Sequence, residues 1–275
     1  MYRYILTAGL ALLLSGCATS GGGSRGVYYQ SDGPPERRLD ASQIPDAVPR
    51  VEPRSRGGNP KSYVIFGKRY YVKNSSKGYV ERGIASWYGK QFHGRRTSNG
   101  EIYDMYKMTA AHKTLPIPTY VQVTNIKTGK QIVVRINDRG PFLKGRIIDL
   151  SYAAAQKLGI AAKGTGLVEV RAIDPRNWKP GTQPAAKTAD TSRAHPEAQI
   201  YLQLGAFSQR SNAEKVVLKT VASAISGVFI KQGQDGYGKP IYRVRIGPLA
   251  NVSMADDMMS RLLKTGVGEF HVVIE

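Results

Sequence analysis

Gln131-Ile-Val-Val-Arg-Ile-Asn-Asp-Arg-Gly-Pro-Phe142, then Arg146-Ile-Ile-Asp-Leu-Ser151 and Tyr152-Ala-Ala-Ala-Gln-Lys-Leu-Gly159, is the stretch on which the fold turns. Gln131–Ile136 is rich in Val and Ile and ends in Asn, Asp, Gly and Pro, which reads as a strand closed by turn residues. Ser151 is a good N-cap, Ala153 to Ala155 are strong helix formers, and Gly159 is placed to stop the chain in a left-handed cap, so residues 151–158 read as a helix. Working outward, Gly83–Tyr88, Tyr120–Asn125 and Leu167–Ile173 are further strand-like runs, and no second helix intervenes. A unit from about Gly78 to Asp174 that is mostly β with one short helix predicts a compact barrel.

The chain has 275 residues with 40 Lys+Arg against 20 Asp+Glu, a formal charge of +20, which suits two small domains and a polyanionic partner. A single cysteine excludes an internal disulfide and a cysteine-based zinc site, and no His spacing suggests a metal, so neither metal nor cofactor is expected. That cysteine, Cys17, follows a cationic start and an apolar run from Ile5 to Leu14. Residues 1–16 read as a secretory signal too short to span a membrane, and Leu14-Ser15-Gly16-Cys17 resembles a bacterial lipobox, which implies cleavage before Cys17 and its lipidation. Ala18, where inner-membrane lipoproteins commonly carry Asp, points to the periplasmic face of the outer membrane. Nucleic acid is then not the expected polyanion; the carboxylate-bearing peptidoglycan wall is.

Residues 17–77 are Gly-, Pro- and Arg/Lys-rich and read as a flexible basic tether, and residues 175–198 as a Pro-rich, disordered linker. Within the first, Lys61–Lys77 turns basic and aromatic with Tyr63, Phe66, Tyr70 and Tyr71, which fits either an edge element packing on the barrel or a wall-binding patch.

Chemistry concentrates in Gly83-Ile-Ala-Ser-Trp-Tyr-Gly89, Thr97-Ser-Asn-Gly-Glu101, Tyr103-Asp104 and Thr109-Ala-Ala-His112. Two carboxylates and an imidazole fall close together, flanked by Trp87, Tyr88 and Tyr103, whose rings are of the type that stacks on sugars. These blocks, with Asn137-Asp-Arg-Gly-Pro-Phe142 and Arg146-Ile-Ile-Asp-Leu-Ser151, resemble the rare lipoprotein A (RlpA) family, whose double-psi β-barrel is similar to that of expansins and family 45 endoglucanases. The resemblance, over residues 78–174, implies lytic transglycosylase activity and assigns Glu101, Asp104 and His112 to it. On that reading Glu101 is the acid/base, His112 polarises or relays, and Asp104 holds His112 or adjusts Glu101. Asp149 matches an acidic site residue of the expansin-like relatives and competes as proton donor; for Asp149 and Asp138, structural roles as a helix cap and a partner of Arg139 or Arg135 stand beside the functional ones.

Residues 199–275 change rhythm to strand, helix, strand, strand, helix, strand: Gln199–Leu204, a helix from Ser211 to Ala224 with a Ser cap, Gly227–Lys231, Pro240–Ile246, a helix from Ser253 to Lys264, and Phe270–Ile274. Tyr201-Leu-Gln203-Leu-Gly-Ala-Phe207 and Tyr242-Arg-Val-Arg-Ile-Gly-Pro248 resemble the SPOR domain, a septal peptidoglycan-binding module. The resemblance implies that Gln203, Ala206, Tyr242 and Arg243 lie on or near an open sheet face that holds glycan stripped of stem peptides. The expected protein is therefore mainly β, a double-psi β-barrel followed by a small α+β (βαββαβ) SPOR domain. Its expected role is a lytic transglycosylase cleaving denuded glycan at the division septum, with divisome proteins open as further partners. A non-catalytic septal wall-binding or expansin-like loosening lipoprotein is the alternative.

Overall fold

The computed structural model describes residues 32–36, 39–40, 43–179, 198–267 and 269–275; the signal segment, Cys17, the start of the tether and most of the second linker lie outside the described residues. In chain order the strands are β1 Ser62–Ile65, β2 Lys68–Tyr71, β3 Val80–Tyr88, β4 Thr109–His112, β5 Thr119–Asn125, β6 Gln131–Asp138, β7 Arg146–Ser151, β8 Gly166–Ala172, β9 Ile200–Phe207, β10 Val228–Gln234, β11 Pro240–Leu249 and β12 His271–Ile274. The helices are α1 Tyr152–Leu158, α2 Arg210–Ala222 and α3 Val252–Thr265.

Strands β3 to β8 close into a barrel in the order β3-β7-β4-β6-β5-β8. Two pairings are parallel, β3 with β7 and β4 with β6, and the rest are antiparallel, which gives the interlocked double-psi arrangement. Alternation along β5 to β7 sends Val121, Val123, Ile132, Val134, Ile136, Ile148 and Leu150 to the interior, all of them at most 1% exposed. Truncating one of the Ile or Leu residues among these to Ala costs about 2–5 kcal/mol. The helix α1 forms as its sequence predicts: the Ser151 hydroxyl accepts from Ala154 N–H at 3.2 Å, and Gly159 takes φ 79° while its N–H returns to helix carbonyls. Its alanines let the backbone lie flush against the barrel, since Ala153, Ala154 and Ala155 are fully buried.

The segment expected to be a tether departs from that expectation over residues 43–77. Ala47 N–H donates to Val133 O at 3.1 Å, Ser55 N–H to Ile117 O at 2.9 Å, and Asn59 exchanges bonds of 2.6 and 2.8 Å with the Ile117 backbone. Composition missed this because the strap satisfies its polar backbone on the barrel rather than building a core of its own. Its Gly57 and Gly58 pass so near the 97–101 loop that a Cβ on either would meet Ser98 O at 3.0 or 3.2 Å. Beyond the strap, β1 and β2 pair as an antiparallel hairpin.

In the second domain β9 to β12 form a sheet in the order β10-β11-β9-β12, with α2 and α3 packed on one face, the βαββαβ pattern read from sequence. The first of these helices begins at Arg210 with Gln209 as an N-cap that makes no side-chain bond, so Ser211 is inside the helix instead of capping it. The two domains touch: Arg146 donates to Asp256 at 2.7 Å, and Ile84 of the barrel joins the cluster of Leu202, Ile246, Met259 and Leu262.

Candidate active site

The centre of the cleft is a small residue. Ala111 on β4 pairs with Asp149 on β7 on one side and with Asp138 on β6 on the other. The β4–β6 register jumps from Ala110↔Ile136 to Ala111↔Asp138, so Asn137 is an extra, bulged residue. Without the bulge, alternation would send Asp138 inward with Ile136; with it, Asp138 shares the outer face with Ala111 and Asp149. Two strand spacings separate the two aspartate backbones by roughly 10 Å, and the small residues Ala111 and Gly140 lie between them, a Cβ on Gly140 falling 3.6 Å from Ala111 Cβ and 3.8 Å from Asp149 Oδ2. Among the described residues the groove wall includes Ser86, Trp87, Asp138, Gly140 and Asp149.

The two aspartates are electrostatically unlike. Asp138 Oδ1 accepts from the N–H groups of Ser98 at 2.8 Å and Arg139 at 2.7 Å, and from the Ser98 hydroxyl. Asp149 accepts from the Ser86 hydroxyl. Burial raises its carboxyl from 3.8 to about 6, against the lowering influence of Ser86, Arg146 and Lys113, and Asp138 adds to the rise. Asp149 is thus a carboxyl that still holds its proton in mildly acidic solution.

Glu101 sits in a separate cluster. Arg135 Nη1 donates to both its oxygens at 2.9 and 3.0 Å, and Asn99 and Asn137 each donate at 2.9 Å. Burial alone would raise the Glu101 carboxyl, but the Asn137, Asn99 and Arg135 donors outweigh it and hold the group below its ordinary value. The other edge of Arg135 grips Glu52 of the strap at 2.8 and 3.0 Å, and Tyr120 donates to the same carboxylate at 2.6 Å. Sequence reasoning missed Glu52 altogether and saw Arg135 only as a partner for Asp138; a carboxylate in a Pro-rich, charge-rich segment gives no periodic signal.

His112 does not act with Asp104 as expected. Its Nδ1 accepts from Thr114 N–H at 3.1 Å and Leu115 N–H at 3.0 Å, which places the ring proton on Nε2, 2.8 Å from Tyr79 Oη. Burial drives its pKa down to about 3, so the ring is neutral, and alternation along β4 sets it on the inner side with Ile148 and Leu150. Asp104 instead accepts from Tyr106 N–H at 3.0 Å and lies 3.9 Å from His93 Nδ1 and Lys107 Nζ. The expected sugar platform also changes. Tyr88 and Tyr103 stack on each other at 4.1 Å and are buried, whereas Trp87, anchored by Nε1 to Ala161 O at 3.2 Å, is the one of the three left partly exposed.

On the second domain, register places Arg243 opposite Ala206 and, across a bulge, Arg245 opposite Gln203, all on the face away from the helices. Tyr242 alternates to the helix side with Val244, unlike the expected placement. Arg245, which the sequence reading passed over, donates to Gln203 Oε1 at 3.1 Å and Glu275 at 2.7 Å and lies 5.6 Å from the Tyr201 ring centre. Its signal was its spacing, two residues beyond Arg243.

Comparison with known proteins follows the same division. The family described as "Lytic transglycolase" matches residues 80–171, and the family described as "SPOR domain" matches residues 196–272. A Pseudomonas aeruginosa protein named endolytic peptidoglycan transglycosylase RlpA is 36% identical over 94% of this chain and 92% of its own length. A Vibrio cholerae protein of the same name is 55% identical over 63% of each chain. Among solved structures, the SPOR domain of the P. aeruginosa RlpA is 26% identical over 27% of this chain and 96% of its own, with a TM-score of 0.25. With a relative matched along nearly its whole length and both domains matched in order, the chain belongs to the RlpA family, a double-psi β-barrel of the lytic transglycosylase class followed by a SPOR domain.

Proposed function

We propose that the groove over Ala111 binds a peptidoglycan glycan strand and cuts the bond between N-acetylmuramic acid and N-acetylglucosamine without consuming water. The observation that carries this is the pair of aspartates set on either side of one small residue in an open groove. Asp149 gives its proton to the glycosidic oxygen as the bond to the muramoyl C1 breaks. The C6 hydroxyl of the same sugar then closes on C1, and its proton returns to Asp149. The product end is a 1,6-anhydro ring and the enzyme regains its starting state. Asp138, fixed by three donors, supplies the negative charge that stabilises the cationic ring between the two steps. Glu101, Asp104 and His112 act as positioning residues, holding the loop that carries Ser98, the turn after Tyr103 and the end of β4. The names of the P. aeruginosa and V. cholerae relatives support endolytic action.

The reading extends to the whole chain. The face bearing Gln203, Ala206, Arg243 and Arg245 takes denuded septal glycan, and lipidated Cys17 tethers the protein to the periplasmic face of the outer membrane, where divisome proteins are further partners. Mass spectrometry of soluble products from amidase-stripped and intact sacculi tests the chemistry: 1,6-anhydro fragments are expected from the stripped sacculi and not above background with Asp149→Asn. A midcell fluorescent fusion that keeps its septal band after deletion of residues 199–275 would overturn the septal role. A fusion that stays in the membrane fraction as Cys17→Ala would overturn the anchor. Wall loosening without cleavage is the alternative if Glu101, tied up by Arg135, Asn137 and Asn99, is the only carboxyl that could serve as the acid. Release of glycan with no anhydro ends is the result that would select it.

A further inference from the structure

The hairpin of β1 and β2 has two unlike faces. Tyr63 and Tyr70 stack with centroids 5.3 Å apart and rest on Phe142 at 6.1 and 5.7 Å, so one face is fixed to the loop that follows Asp138. The opposite face carries Val64, Arg69 and Tyr71, all exposed, Tyr71 at 68%. At the tip Phe66 is 80% exposed and adopts φ 49°, followed by Gly67 at φ 74°. A two-residue turn with both φ positive is ordinarily Asn-Gly, and a bulky side chain in the left-handed region is strained. Phe66 therefore bears a conformational cost with no burial to offset it, the kind of outlier that points to a role.

Charge narrows the ligand. The sequence holds no carboxylate between Glu52 and Glu81, while the hairpin and its ends carry Lys61, Lys68, Arg69 and Lys73. Exposed rings among cations, of which Lys68 is already paired with Glu269, fit a ligand that has apolar C–H faces for stacking and carboxylates along its length. Position narrows it further. Phe66 and Phe142 line the same groove as Asp138 and Asp149, and Lys68 reaches Glu269 of the second domain at 3.1 Å. The hairpin thus lies between the cleft and the sheet module.

We propose that Phe66, Arg69 and Tyr71 form a second glycan subsite, which takes the carboxylate-bearing strand where it leaves the cleft. The inference rests on reading the groove as a glycan cleft. Two variants of the full-length protein test it. Phe66→Asn removes the ring yet suits the turn, so it melts no lower than the parent protein. Arg69→Ser with Tyr71→Ser strips the exposed face without touching the Tyr63–Tyr70–Phe142 stack. In both, Kd and KM for long glycan strands rise about five- to tenfold while kcat holds, and Kd for short fragments that fill only the cleft stays put. Long-strand Kd and KM within about twofold of the parent in both variants overturn the subsite. So does a loss of binding confined to anionic phosphatidylglycerol vesicles, which would make the hairpin a membrane contact. Because Kd needs no turnover, a parent protein that yields no anhydro ends sinks the cleft chemistry and leaves the binding comparison to decide the hairpin.

Discussion

The barrel carries two carboxylate sites within one loop's reach of each other, and they are built in opposite ways. At Asp149 a carboxyl is taken out of water, given one hydroxyl donor, and left with its proton up to about pH 6. At Glu101 and Glu52 a single guanidinium is shared between two carboxylates, and both are held ionised. The Thr97–Glu101 loop joins them: Ser98 donates to Asp138 while Glu101 accepts from Arg135. The difference teaches that residue type assigns no role. A carboxylate gripped by a guanidinium and further donors is built as a strut; a buried one with a single hydroxyl donor is built to hold a proton.

Removing the reagent should have the largest effect. Asp149→Asn takes away the proposed proton donor, and kcat should fall by about 10²- to 10⁴-fold, the range usual for general acids. Asp138→Asn should fall within the same range because it removes the charge proposed to stabilise the reacting ring. In the parent protein kcat/KM should decline above about pH 6, as the Asp149 proton is lost. An unchanged alkaline limb in a pH–rate profile would break the contrast between the two sites.

The same substitution should move stability the other way. The Asp149 pKa is raised from 3.8 to about 6 by folding, so the folded chain binds the extra proton, and stability falls as pH rises through that window. The whole shift corresponds to about 3 kcal/mol. Asn keeps the shape and carries no charge, so Asp149→Asn should be about 1–3 kcal/mol more stable at pH 7 and indistinguishable from the parent below about pH 3. Urea unfolding at the two pH values measures it. A variant less stable at pH 7 would show that the Arg146 and Lys113 attractions outweigh the burial of the charge.

This contrast also marks what the amino-acid sequence could tell. The helix α1 was legible because its cap, its alanines and its terminal glycine all act within one turn of the residues they control. The βαββαβ order was legible from periodicity for the same reason. The strap was not, because its Gly and Pro content hides backbone bonds made to Ile117 and Val133 far along the chain. The outward placement of Asp138 was not either, since it depends on a bulge at Asn137 that exists only when β6 is paired with β4. His112 reads as a catalytic imidazole in sequence, yet the strand alternation that turns it inward toward Tyr79 is fixed by the partner strands.

The smallest expected effect probes the strut. Folding lowers the Glu52 carboxyl from 4.5 to about 2, first through its bonds from Arg135, so its contribution is present above pH 4.5 and is lost as pH falls toward 2. Solvent near the strap screens the pair, leaving about 1–2 kcal/mol. Glu52→Gln should therefore cost that much at pH 7 and flatten the acid side of the stability profile between pH 4.5 and 2. The alkaline limb of kcat/KM should stay near pH 6, because Arg135 still holds Glu101 and Asp149 belongs to the groove on the other side of the 97–101 loop. If Glu52→Gln instead moves that limb, the two sites titrate together and the strap is part of the reagent's environment, not only of the strut's.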